Sequence, residues 1–375
     1  MLDERKRYLP AAFSTQLRNL TSFLPAAAMT VLVASGPANA AEPVGKVVFG
    51  AGFNDAYGAN LRFGLTHNQF LGRDQTIDVG AQVGEDGARY QLFYNNEKLS
   101  GGNPVLGVSA FFTQKFSGDL FHFESQRVGV TPSLTWRLNE DSSLKVLAKM
   151  GADDLNGFAP DASSLITAEP DSRQYVGLGV AYSRQLGGFG LDLATLLQGT
   201  SENQTMLKTT AALSGGTTAG PAELEMRLKG GTIKMLDRQS SVLDRFLIGG
   251  NGLRGFAYGG LGPRDTRTLD NQALGGTNFA SLQLDARFPG MISAAPNIVL
   301  GVFFDAGAVW GLDASAADLS GRALVDDGFD LRSAAGVTLG YAVDAGRLEM
   351  SLGGVLSSRS FDEKQQLQIA FTADF

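Results

Sequence analysis

Much is missing from this 375-residue chain, and each absence excludes something. There is no cysteine, so disulfides, thiolate metal sites and cysteine nucleophiles are ruled out. Two histidines, His67 and His122, are too few for a histidine-built metal cage, and no metal or cofactor is expected. Basic residues number 31 against 38 acidic ones, and a net charge of −7 argues against a nucleic-acid partner, which would need a basic face. Past residue 40 no apolar run reaches the length of a membrane-spanning helix. A mean hydropathy of −0.01 is too polar for a helical membrane protein, yet it shows no apolar deficit of the kind that leaves a chain disordered. What is abundant is glycine, 48 residues, and phenylalanine, 24, in a chain with only 18% charged residues.

The first forty residues have the order of an export signal. Arg5, Lys6, Arg7 and Arg18 form a basic leader, an apolar stretch follows from about Leu20 to Ser35, and Ala38-Asn39-Ala40 supplies a small-residue cleavage site. Pro25 and Pro37 bound the apolar part, leaving it too short to span a bilayer as a helix. The expectation is a signal peptide over 1–40 and a mature domain over 41–375.

In that mature domain hydrophobicity alternates with period two. Ile298, Leu300, Val302, Phe304, Ala306, Ala308 and Trp310 interleave with Gly301, Asp305 and Gly307. Leu224, Met226 and Leu228 interleave with Glu223, Glu225, Arg227 and Lys229, and similar stretches surround Val79, Leu178 and Leu339. Such alternation makes strands with one apolar and one polar face. A soluble sandwich alternates too. A transmembrane barrel is favoured by the glycine-rich, charged polar face, by strands of about ten residues, and by a chain that stops on an aromatic of the apolar face. Phe371 and Phe375 sit on that face of the last stretch and resemble the C-terminal sorting signal of outer-membrane barrels. The reading is an all-β, antiparallel transmembrane barrel of about 16 strands, at about 44–53, 58–67, 75–84, 88–96, 104–116, 122–138, 142–152, 173–185, 188–199, 205–214, 222–236, 277–288, 297–310, 331–343, 346–356 and 366–375. Two connections, about 153–172 and 237–276, are too long for hairpin turns, and long connections tend to carry function.

The second long connection holds Gly249-Gly250-Asn251-Gly252-Leu253-Arg254-Gly255-Phe256 and then Gly262-Pro263-Arg264-Asp265. Its G-x-G-x-x-G match lacks the strand–helix setting of a dinucleotide site. The segment resembles instead the sixth external loop of the BamA-like surface-antigen superfamily, with its G-G…R-G-F/Y motif and following G-P-R-D. Leu284-Asp285-Ala286-Arg287-Phe288-Pro289, Phe303-Phe304-Asp305-Ala306-Gly307 and Asn68-Gln69-Phe70-Leu71-Gly72-Arg73 are similar to further motifs of that family, in the same order. The resemblance implies a long loop folded back into the lumen, its Arg254 contacting acidic residues of the inner wall. Strand parity points Asp285 and Asp305 inward, opposite to Leu284 and Phe304, so these are the expected partners. A solvated loop arginine is the alternative.

The resemblance also implies a bacterial outer-membrane location and insertion or translocation of outer-membrane proteins at a weak seam between first and last strands. The partners would be the lipid bilayer and unfolded outer-membrane protein clients. The first strand, with Gly45, Gly50 and Gly52, suits such a seam, although ordinary fraying would look the same. The chain departs from the family in leaving little length between Ala40 and the first strand for periplasmic POTRA domains, so a barrel-only member is expected. No motif is recognised over about 173–236. A passive pore is the alternative function. An enzyme is disfavoured, since neither histidine lies in a nucleophile motif and Gly107-Val108-Ser109-Ala110-Phe111 lacks the last glycine of an elbow.

Overall fold

The fold comes from a computed structural model, which describes residues 45–54, 58–72, 74–97, 101, 103–118, 120–313, 325–343 and 346–373. The expected signal peptide and Phe375 lie outside the described residues.

In chain order the strands begin with β1 (Gly45–Asn54), β2 (Gly58–His67), β3 (Gln75–Gly84), β4 (Gly87–Asn96), β5 (Val105–Lys115) and β6 (Glu124–Arg137). They continue with β7 (Ser142–Asn156), β8 (Ser172–Leu186), β9 (Phe189–Thr200), β10 (Thr205–Ala219) and β11 (Ala222–Asp237). Three two-residue strands follow, β12 (Gly255–Phe256), β13 (Arg264–Asp265) and β14 (Gln272–Ala273), and then β15 (Asn278–Phe288) and β16 (Ile298–Trp310). The last are the short β17 (Val325–Asp326), β18 (Arg332–Val343), β19 (Gly346–Ser357), the short β20 (Lys364–Gln365) and β21 (Leu367–Ala373). All the long strands form one 16-stranded antiparallel sheet in sequence order, from β1 to β21. The last strand runs within 8 Å of the first, so the sheet curls into a barrel. Among the described residues no helix is long and apolar enough to cross a membrane.

The alternation read from the sequence is the alternation of the wall. Val176, Leu178 and Val180 of β8, Val302 and Phe304 of β16, and Val337, Leu339 and Tyr341 of β18 are exposed on the outer face. Their neighbours Arg173, Asp305, Phe303 and Thr338 are buried inside. An apolar outside with a polar inside is what lipid demands of a barrel. Several strands run further than the alternation indicates, β7 to Asn156 and β10 to Ala219, because Asp153-Asp154 and Gly215-Gly216-Thr217-Thr218 carry no apolar face.

Turns at one end of the barrel are short, such as Gly187-Gly188 and Gly220-Pro221. Long connections gather at the other. Among them, 157–171 carries the short helix α1 (Ser164–Thr167), whose first N–H groups are capped by Ser163. The long connection 238–277 turns inward. Its Leu253, Phe256 and Leu261 pack with the wall residues Val309 and Ala334 as an apolar core inside the lumen. A second core, of Phe123, Leu155, Leu165, Ile166, Val242 and Leu274, joins it to the neighbouring loops.

Candidate functional site: an internal loop anchored at two walls

The backbone of the internal loop turns sharply before Arg254. Gly249 adopts φ +127°, where a side chain would run into the carbonyl of Ala257, and a single 3-10 turn follows at Gly250–Gly252. Arg254 emerges from this turn into the wall. Its Nε and Nη2 donate to Asp305 Oδ2 and Oδ1 at 2.9 and 2.7 Å, and its Nη1 donates to Asp285 Oδ1 at 2.6 Å. The backbone N–H of Arg254 donates to the same Asp305 Oδ2 at 2.8 Å. The guanidinium lies 3.9 Å from the ring centroid of Phe303, whose face adds a cation–π contact.

All three charged groups are buried, Asp305 completely. Such burial is tolerable only because each charge is paired and hydrogen-bonded, with the planar fork of arginine matching the carboxylate. Gln283, opposite Asp305 in the β15–β16 ladder, completes the site by donating to the loop carbonyl of Asn251 at 2.9 Å.

The rest of the motif builds the loop. Gly255, at φ +93°, passes so close to the wall that a Cβ would sit 2.8 Å from that of Ala334. Phe256 is fully buried in the luminal core. Gly262 and Pro263 lead into β13, and the carbonyl of Pro263 accepts from Leu274 N at 3.0 Å. Arg264 does not reach the wall. It is fully buried, and its Nη2 and Nη1 donate to the carbonyls of Gly259 and Asn271 at 2.7 and 3.1 Å, folding the loop on itself. Burial pulls its pKa down to about 10. Asp265 accepts from Ser163 Oγ at 2.6 Å, tying the internal loop to the cap of α1. The structure therefore brings Arg254, Asp285 and Asp305 together and gives Arg264 and Asp265 a separate, internal task. Phe371 is described only as a backbone position opposite Leu348.

Sequence reasoning missed a second anchor. Earlier in the same loop, Asp244 Oδ2 meets Arg173 Nη1 of β8 at 2.6 Å, and Arg127 Nη2 of β6 lies 4.0 Å from Oδ1. Both arginines also bind Asp153 of β7, at 2.7 and 2.9 Å. Burial alone would raise the Asp244 carboxyl, but Arg173 and then Arg127 and Lys208 outweigh it and hold it below the usual carboxylate range. Lys208 Nζ donates to the Asp244 carbonyl at 2.8 Å. Register places Arg127, Asp153 and Arg173 in one row across three strands. Inward parity of opposite charges on adjacent strands was the available signal. The two histidines take no part: His67 is a turn acceptor for Gln69 N, and His122 sits between Asp161 and Asp270 at 3.4 and 3.6 Å.

A barrel of 16 strands whose long inward loop fixes an R-G-F arginine on wall carboxylates can be compared with known proteins. The Omp85 superfamily domain matches residues 69–375. The chain belongs to the Omp85 superfamily. Its curated relatives include the "outer membrane protein assembly factor BamA" of Neorickettsia risticii (strain Illinois), 22% identical over 349 residues, or 89% of this chain and 45% of that one. The chain thus spans about half the length of the curated relative it matches. Among solved structures, BamA from Haemophilus ducreyi lacking POTRA domains 1–3 aligns with a TM-score of 0.72 at 17% identity, over 96% of this chain and 77% of that one. CdiB from Acinetobacter baumannii aligns with a TM-score of 0.54 at 14% identity, over 92% and 65%. These structures share the fold. Omp85 proteins are outer-membrane β-barrels of bacteria, and this chain is one of them.

Proposed function

We propose that this Omp85 barrel assists the insertion or translocation of outer-membrane proteins, with a client strand adding by backbone pairing at the seam between β1 and β21. The carrying observation is the seam itself. Among the described residues the last strand pairs with β19 from Leu367 to Ala373 and leaves the end of β19 uncovered, whereas β18 and β19 pair along nearly their full length. No ladder joins β1 to β21 among the described residues. An edge with unpaired N–H and C=O groups is a template for another strand, and β-augmentation is how such edges bind extended polypeptide. The name of the curated relative, an outer-membrane protein assembly factor, supports the same reading.

In this reading residues 1–40 direct export, the last strand with Phe371 and Phe375 carries the sorting signal, and the clients are unfolded outer-membrane proteins. The two-ended anchorage of the internal loop keeps the lumen filled and the C-terminal wall rigid beside the seam. No catalytic step is required: strand exchange conserves covalent bonds. The test is reconstitution in liposomes with an unfolded barrel client, its folding followed by heat-resistant mobility on a gel. Acceleration over empty liposomes is expected. Equal rates with and without the protein would overturn the proposal for this chain.

A further inference from the structure

The last strand does not begin in the wall. In the β19–β21 ladder the partner numbers fall by one as β19 advances, to Leu352↔Leu367, and Gly353 N still donates to the Gln366 carbonyl at 2.8 Å. Carried on, this register would set Gly354 opposite Gln365 and Val355 opposite Lys364. Those two residues are elsewhere. As β20 they pair with β12 of the internal loop, Gly255↔Gln365 and Phe256↔Lys364. Three more bonds tie the residues on either side of them to the loop. Ala257 N donates to the Glu363 carbonyl at 3.1 Å and Glu363 N to the Gly260 carbonyl at 2.8 Å. Gln368 Nε2, from the inner face of β21, donates to the Phe256 carbonyl at 3.0 Å, in a site where Gln368 is 3% exposed.

The consequence falls on β19. Its residues Gly354–Ser357 remain paired with β18 on one side, at Ala335↔Gly354, Ala334↔Val355 and Ser333↔Ser357. On the seam side no described residue pairs with them. The arginine anchor fixes where this happens: Arg254, held on β15 and β16, immediately precedes the Gly255–Phe256 pair that captures β20.

Resting on the seam reading above, we propose that the internal loop is a wedge that draws the start of the last strand out of the barrel wall. It thereby keeps the backbone edge of Gly354–Ser357 open to an extended segment of client polypeptide. Phe256 and Gln368 are the positioning residues of this wedge. Released from the loop, residues 363–365 would zip onto β19 and close that edge, since the register already points them there.

The chain has no cysteine, so engineered pairs report without interference. Gly354→Cys with Gln365→Cys would be directly opposed only in the zipped wall, and a Cβ at Gly354 meets nothing closer than the Ala335 carbonyl oxygen at 3.8 Å. Met350→Cys with Ile369→Cys, opposed in the present ladder, calibrates the oxidation. Only barrels with heat-resistant mobility are scored. The 354/365 pair is expected to cross-link severalfold less than the control in the otherwise native chain. Its yield is expected to rise to the control level with Gln368→Leu, the mild release, and with Arg254→Ala. Cross-linking at the control level with the loop intact would overturn the proposal, and so would a low yield that neither release changes. The assay uses no client, so it stands apart from the seam reading: correct cross-linking without accelerated client folding condemns the seam alone, and accelerated folding with unresponsive cross-linking condemns the wedge alone.

Discussion

The two anchors of the internal loop are electrostatic opposites. At β15 and β16 the loop brings the cation and the wall the acids: Arg254 against Asp285 and Asp305. At β6 to β8 the loop brings the acid and the wall the cations: Asp244 against Arg173 and Arg127. They also differ in what is left behind when the loop lets go. Arg173 and Arg127 keep Asp153 between them, so the basic wall stays partly neutralised without the loop. Asp285 and Asp305 have Arg254 as their principal cation, with Gln283 giving Asp305 only a long 3.4 Å contact. One wall is neutralised in advance and the other chiefly by the loop. The opposite signs also fix polarity, because a loop docked the wrong way round would set like charges against each other.

The largest predicted effect tests that asymmetry directly. Arg254→Ala leaves two buried carboxylates without their partner, and removing one member of a buried, hydrogen-bonded pair costs about 3–5 kcal/mol. A loss of most heat-resistant folded barrel is expected in gel mobility. Asp305→Asn keeps the shape and one acceptor but removes a charge, and its unfolding midpoint is expected between Arg254→Ala and wild type. Asp244→Asn should be milder, about 1–2 kcal/mol, since Arg173 retains Asp153 and the carbonyl of residue 244 still accepts from Lys208. An Asp244→Asn variant as unstable as Arg254→Ala would erase the contrast between the anchors.

The smallest effects sharpen the comparison through pH. The folded pKa of Asp244 is depressed, so its stabilising contribution is complete above the usual carboxylate value near 4 and is lost only as pH falls through the lower folded value. Glu169, at the end of the 157–171 connection and largely shielded from solvent, accepts from Ser241 Oγ at 2.5 Å and Val242 N at 2.9 Å and is the reverse case: desolvation raises its carboxyl despite Arg245. Its contribution is present below the ordinary value and declines as pH rises through the folded one. Thermal unfolding of Asp244→Asn against wild type should therefore converge only in strong acid. Glu169→Gln should differ from wild type more at neutral than at mildly acidic pH. The opposite ordering would show that these carboxyls are not held as described.

The barrel was legible because the side-chain period of a strand is two and lipid enforces it on every strand. Gln75–Gly84 follows the alternation to the residue, and Arg332–Val343 starts within one residue of it. Where strands leave the lipid, as at Asp153-Asp154 or Thr217-Thr218, the pattern stops but hydrogen bonding does not, and the ends were read short. Asp285 and Asp305 could be paired with Arg254 because parity fixes which way a wall residue points. Arg264 could not be separated from Arg254 in this way: each stands two residues after a glycine in one loop, and only tertiary folding sends one to the wall and the other to carbonyls of its own loop. The diversion of Lys364 and Gln365 into the lumen was invisible for the same reason, because a two-residue ladder leaves no periodicity.

The most direct test of the account is ionic conductance across a planar bilayer, since a loop latched at both walls must obstruct the lumen. Wild type is predicted to conduct little, Asp244→Asn to open intermittently, and the Asp244→Asn, Arg254→Ala double variant to conduct steadily at a much higher level. Steady porin-like conductance in wild type, unchanged when both anchors are removed, would contradict it.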